Sequence, residues 1–176
     1  MRTEDAVGEI DTALAASQDA VEQMIRAGEQ SGAAWSVPRA PGKWSPSQIV
    51  EHIARGLEEA ANVAAGRPSV PMPPAVVQAV VRPIARFMFK RVLRTAAFPN
   101  GFKAHKVLNP ASGPATPAEG RVRLETAHQK FDEACRRIAA DGRPMATLFG
   151  SVSVPDLVRY SELHTRHHTK QMTARQ

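Results

Sequence analysis

Trp44-Ser45-Pro46-Ser47-Gln48-Ile49-Val50-Glu51-His52-Ile53-Ala54-Arg55-Gly56-Leu57 opens with the local chemistry of a helix start. Ser45 reads as the N-cap and Pro46 as the first helical residue, where no amide hydrogen is needed. Gln48, three residues after the cap, completes a capping box. Ile49, His52, Ile53, Leu57 and Ala60 then recur at steps of three and four, which predicts one helix face turned to a core. The helix is expected to reach about Ala65, ahead of Gly66 and Pro68. A histidine therefore stands on an apolar stripe.

The neighbouring segments are helical too. Before this stretch, Val7, Ile10, Leu14, Val21, Met24 and Ile25 predict a helix from about Asp5 to Gln30, stopped by Ser31-Gly32. After it, a third segment is expected from about Pro74 to Ala97, kinked at Pro83 and ended by Pro99-Asn100-Gly101. Its apolar line is Val77, Val81, Ile84, Met88 and Val92, while Arg82, Arg86, Lys90 and Arg94 line another face. An irregular connection runs through Pro117. Leu124, Ala127, Phe131, Ala134 or Cys135, and Ile138 then mark a helix from about Ala118 to Ala140, stopped by Asp141-Gly142. The last helix begins near Ser153, with Ser153 and Asp156 as a second capping box, and runs to about Thr173. No strand alternation is found. The expectation is an all-α, antiparallel four-helix bundle with an additional helical segment and an irregular connection, one domain over residues 1–176.

Composition narrows the function classes. Hydrophobic residues are 43% and charged residues 23% of the 176, an ordinary globular balance. One cysteine, Cys135, excludes an intrachain disulfide and a cysteine-rich zinc module. No stretch approaches the roughly 20 apolar residues of a membrane span. The acidic start (Glu4, Asp5, Glu9, Asp11) lacks the form of a secretory signal, so cytoplasm is the expected location. Charge is segregated: residues 1–59 hold five Lys/Arg and ten Asp/Glu, a net −5. Residues 60–118 hold eight Lys/Arg and no acid, a net +8. Such a basic third suits phosphates, an anionic small molecule or a membrane surface. With nine aromatics in the chain and no recognisable motif, nucleic acid ranks last among partners.

Six histidines occur, and helix geometry sorts them. Leu157, Tyr160, Ser161, His164, His168 and Gln171 share one face of the last helix, so His164 and His168 point inward together. Four residues are about 6 Å of rise, a spacing from which two imidazoles converge on one ion. His167 is turned about 100° away. An H-x-x-x-H pair alone describes a polar helix face equally well. The third inward histidine, His52 on another helix, sharpens it, because one divalent cation satisfies three buried imidazoles at once. Three histidines and an open position match a catalytic rather than a structural zinc. His128 is expected as a surface or satisfied core histidine, with a supporting role at the metal as the lesser reading. His105 is assigned nothing. Cys135 reads as a packed, inert thiol, Trp44 as an apolar staple, and Glu51 as solvated surface.

Trp44-Ser45-x-x-Gln48-Ile49-Val50-x-His52, with Leu148-Phe149-Gly150 and His164-Thr165-Arg166-His167-His168-x-x-Gln171 far downstream, resembles the DinB-like superfamily. The likeness is to its metal-dependent hydrolase and thiol-transferase branch. It implies a four-helix bundle holding one divalent metal, zinc or nickel, on His52, His164 and His168. The implied function is hydrolysis or low-molecular-weight-thiol transfer on a small electrophile, by a water or thiol activated at the metal, with basic residues of the third helix as anchors for an anionic thiol. The alternative is a non-enzymatic, metal-stabilised bundle that binds a small molecule or a protein partner. The partners expected are the substrate or thiol, with a homodimer left open.

Overall fold

The computed structural model describes residues 3–99 and 105–173, with side chains from Gly8 onward. The helices are α1 (Thr3–Gln30), α2 (Pro46–Ala64), α3 (Ala75–Thr95), α4 (Pro117–Ala140) and α5 (Val154–Thr173). The capping box of α2 closes both ways. The Gln48 amide donates to Ser45 Oγ at 3.3 Å, and the Ser45 amide to Gln48 Oε1 at 3.0 Å. At α5 only one half of such a box forms among the described residues, the Asp156 amide donating to Ser153 Oγ at 3.2 Å. Gly32 and Gly142, both at positive φ, lie just beyond the ends of α1 and α4. The Asn100-Gly101 stop lies outside the described residues.

Four helices form a closed ring in the order α1, α4, α2, α5, and α3 packs on the outside of α5. Short links would set consecutive helices side by side; instead α1 and α2, like α4 and α5, sit diagonally. Cross-helix pairs give the directions. Asp11–Arg136, Ser17–His128 and Glu29–Arg121 run in opposite order along α1 and α4, which are antiparallel. Glu51–Arg123 and Glu58–Lys130 run in the same order, so α2 and α4 are parallel. By the same reasoning α1 and α5 are parallel and α2 and α5 antiparallel. The bundle is thus all-α with directions up, down, down, up, the arrangement that a long crossover permits. Its core holds Leu14, Val21, Met24, Ile53, Leu57, Leu124, Phe131 and Val158. Cys135 is buried there, and burial pushes its thiol up to about 12, the inert state expected.

The crossover between α3 and α4 is bound to α2 rather than loose. Trp35 Nε1 and Ser47 Oγ both donate to Pro114 O, at 2.9 and 2.8 Å. Gln48 Nε2 donates to Ala111 O at 3.2 Å and Arg55 Nη1 to Val107 O at 3.3 Å. Gly113 presses so closely on α2 that a Cβ there would lie 2.1 Å from Ser47 O.

Three expectations are corrected. A two-stranded hairpin, β1 (Met145–Thr147) against β2 (Gly150–Val152), joins α4 to α5. Strands of three residues are too short for alternation to register. On α3 only Phe89 and Val92 are buried; of the expected apolar line, Val81 and Met88 are half-buried and Val77 and Ile84 exposed. Among the described residues the only bundle helix α3 meets in force is α5, and the opposite face of α3 is exposed. Pro83 lies inside α3 without ending it. Glu51 is not solvated: it pairs with Arg55 at 2.7 Å and Arg123 at 3.0 Å. Arg123 also binds Glu58 and holds that carboxyl below its usual range, tying α2 to α4.

Candidate metal centre

α2 and α5 cross as antiparallel neighbours, so the inward positions 52, 164 and 168 meet at one level of the bundle. The ring centroids of His52, His164 and His168 stand 5.1, 4.8 and 4.8 Å apart, nearly an equilateral triangle. One ring nitrogen from each lies within 4.8 Å of the other two, close enough to hold one metal ion. No cysteine, aspartate or glutamate among the described residues joins this group.

Two rings are oriented by bonds on their far side. His52 Nδ1 lies 2.8 Å from Leu108 O and must be the donor, since a carbonyl only accepts. Its Nε2 is then unprotonated in the neutral ring and faces His164 Nε2 at 3.4 Å. His168 Nδ1 lies 2.9 Å from Gln171 Oε1, which fixes the same tautomer. The other end of that amide donates to His167 Nε2 at 3.0 Å. The backbone carbonyl behind His52 and the side-chain oxygen behind His168 are the usual support of metal-binding histidines. The donor set fits a divalent ion: three imidazoles converge, and His52 and His168 turn bare Nε2 lone pairs away from their fixed Nδ1–H acceptors.

Burial keeps these rings neutral. It draws His52 below the ordinary value of 6.5, outweighing the opposite effect of the Leu108 bond. His164 is driven well below, by burial first and then by the neighbouring His168 and His52. His168 is pushed down to about 3, again mainly by burial. A neutral imidazole is the form that binds metal.

Aromatic rings wall the cluster. Trp44 stands 4.6 Å from His52 and 6.1 Å from His168, so it does more than staple a helix. Phe98, just beyond α3, lies 5.4 Å from His164 and 5.1 Å from His167. Phe89, Phe149 and Tyr160 stack beside it, with Phe89–Phe149 at 4.8 Å and Phe89–Tyr160 at 5.1 Å. The hairpin turn delivers Phe149: Gly150 takes φ +94°, and Thr147 Oγ1 accepts from the Phe149 amide at 3.0 Å. Burial raises the Tyr160 phenol to about 12, so it stays protonated.

The other histidines lie elsewhere. His128 is buried with Nε2 at 3.2 Å from Ser17 Oγ, a satisfied core histidine between α1 and α4. His105 is exposed and accepts from the Val107 amide at 3.4 Å. Position on a helix stripe found the three clustered rings and Gln171. It offered no signal for Leu108 O or Phe98, which reach the site from irregular chain.

These features define a class: an all-α bundle with a three-imidazole cluster between its second and last helices. A model of the DinB superfamily matches residues 9–172, and the chain belongs to that superfamily. No curated protein and no solved structure matches it.

Proposed function

We propose that the protein holds one divalent metal ion on His52, His164 and His168 and acts as a hydrolase or low-molecular-weight-thiol transferase on a small electrophile. The observation that carries this reading is the convergence of three neutral imidazoles, two of them locked by Leu108 O and Gln171 in the ligating tautomer. Zinc is the preferred ion and nickel the second, since three imidazoles suit both and supply decides. When bound, such an ion supplies Lewis acidity and lowers the pKa of a water or thiol toward neutrality. The chain's own residues do the rest. His52 and His168 keep their far-side protons on fixed acceptors, so neither ring turns. Trp44, Phe98 and Tyr160 exclude water and offer aromatic faces to an apolar substrate. Residues 9–172 of a DinB-superfamily fold are the background to this reading and do not name the reaction.

The test has two parts. Elemental analysis of protein purified without an affinity tag should find close to one zinc or nickel per chain. Turnover against a panel of thiols and electrophiles should then appear with metal and vanish with chelator. Metal without turnover across the panel would leave a metal-stabilised binding module, and no metal would remove the site itself. Stability gives an independent readout, because an ion at a hundred times its Kd stabilises the fold by about 2.7 kcal/mol.

A further inference from the structure

Most cations on the bundle helices are paired with acids. Arg121 binds Glu29, Arg123 binds Glu51 and Glu58, Arg136 binds Asp11 and Asp132, and Arg166 binds Glu162 and Asp19. Helix α3 differs in that none of its cations has an acid partner among the described residues. Arg82, Arg86, Lys90 and Arg94 are exposed, and none forms a hydrogen bond or ion pair with a described residue. No acid occurs anywhere in residues 60–118 to serve them. Beside these cations runs an apolar stripe of the same helix: Val76 is 80% exposed, Val80 68%, Ile84 63% and Phe87 62%. Steps of four, four and three place these four on one face, and the same line continues into Arg91 and Arg94. The inner face, with Phe89 and Val92, is the one that packs on the protein. Three stripes thus share one helix: one inward, one apolar and wet, one cationic and unpaired.

The occupant of the outer face has to meet both properties. A soluble anion would answer the cations and leave valine, isoleucine and phenylalanine in water. A second copy docking α3 on α3 would bury the apolar stripe but set each cation beside its own image, with no acid on either helix. An anionic bilayer surface answers both, lipid headgroups facing the cations and the acyl boundary taking the apolar side chains. No described helix is long and apolar enough to cross a membrane, which fits a helix that lies on one. We propose that α3 docks the protein on an anionic phospholipid surface, with Val76, Val80, Ile84 and Phe87 seated below the headgroups and Arg82, Arg86, Lys90 and Arg94 among them. This is independent of the metal site.

The experiment is co-sedimentation of the full chain with sucrose-loaded vesicles, phosphatidylcholine alone or mixed with phosphatidylserine. Mixed vesicles are expected to bind the protein at least about tenfold more tightly than neutral ones, and high salt to weaken that binding. Arg86→Glu with Lys90→Glu, and separately Ile84→Ser with Phe87→Ser, should each weaken it about tenfold or more. Arg143→Glu, a charge reversal at an exposed site off α3, should not. All these positions are on the surface, and circular dichroism verifies that the variants fold. Equal binding to both vesicle types, binding to neither, or indifference to both α3 pairs would overturn the proposal. So would a dimer in sedimentation equilibrium that Ile84→Glu with Phe87→Glu dissociates, since the face would then belong to a second copy.

Discussion

His168 and His167 are adjacent in sequence, yet their chemistry diverges because a helix turns about 100° per residue. His168 points into the cluster, whereas His167 meets Phe98 and the amide of Gln171. Alanine at His52, His164 or His168 is therefore expected to abolish stoichiometric metal binding, measured as metal per chain at unchanged helical content. His167→Ala should keep the metal, with no more than the roughly 10–100-fold loss of a supporting residue. Gln171→Leu should cost about that much too, since His168 Nδ1 loses its acceptor. Retention of metal by all three ligand variants would remove the site. The same rings set a pH dependence in metal-free protein. Each is harder to protonate folded than unfolded, so the unfolded chain binds more protons below 6.5, the ordinary histidine value. Their contribution to stability is complete above 6.5 and is lost as pH falls toward the depressed folded values. For His168 that loss extends down to about 3. Between 6.5 and about 5 the carboxylates stay ionised, so a falling urea midpoint there reports histidines. Phenylalanine at His168 should flatten that slope.

At the scale of elements, the crossover from 105 to 116 acts as a strap clamped to α2, and Gly113 is its tightest point. Gly113→Ala would set a Cβ 2.1 Å from a backbone oxygen, which cannot swing aside as a side chain would. Gly120→Ala meets the Trp35 ring at 2.7 Å on the same side of α2. Each is expected to cost about 1–3 kcal/mol by overpacking, read as a lowered urea midpoint. An unchanged midpoint for Gly113→Ala would show that the strap yields freely. The helices flanking this strap were legible because capping residues and three-and-four spacing are local. The course of the strap was not: Leu108 meets His52 through a backbone carbonyl, which no side-chain pattern advertises. The hairpin escaped for lack of length. The apolar line of α3 misled because periodicity reports which residues share a face, not whether another helix covers it. Val77 and Ile84 share a line with buried Val92 and remain in solvent.

For the whole molecule, the charge blocks of the sequence survive folding as geography. Acids of α1 are spent on arginines of α4 and α5, as in Glu29–Arg121, Asp11–Arg136 and Asp19–Arg166. The cations of α3 have no acid partner among the described residues and lie at the edge of the bundle. The consequence is kinetic. A lopsided cation cluster acts over a Debye length, about 10 Å at 0.1 M salt, and so turns the molecule before any side chain touches a surface. Valine and phenylalanine act only on contact. Arrival and departure on anionic vesicles should thus separate in stopped-flow records: reversing Arg86 and Lys90 slows the encounter, while serine at Ile84 and Phe87 leaves arrival intact and hastens release.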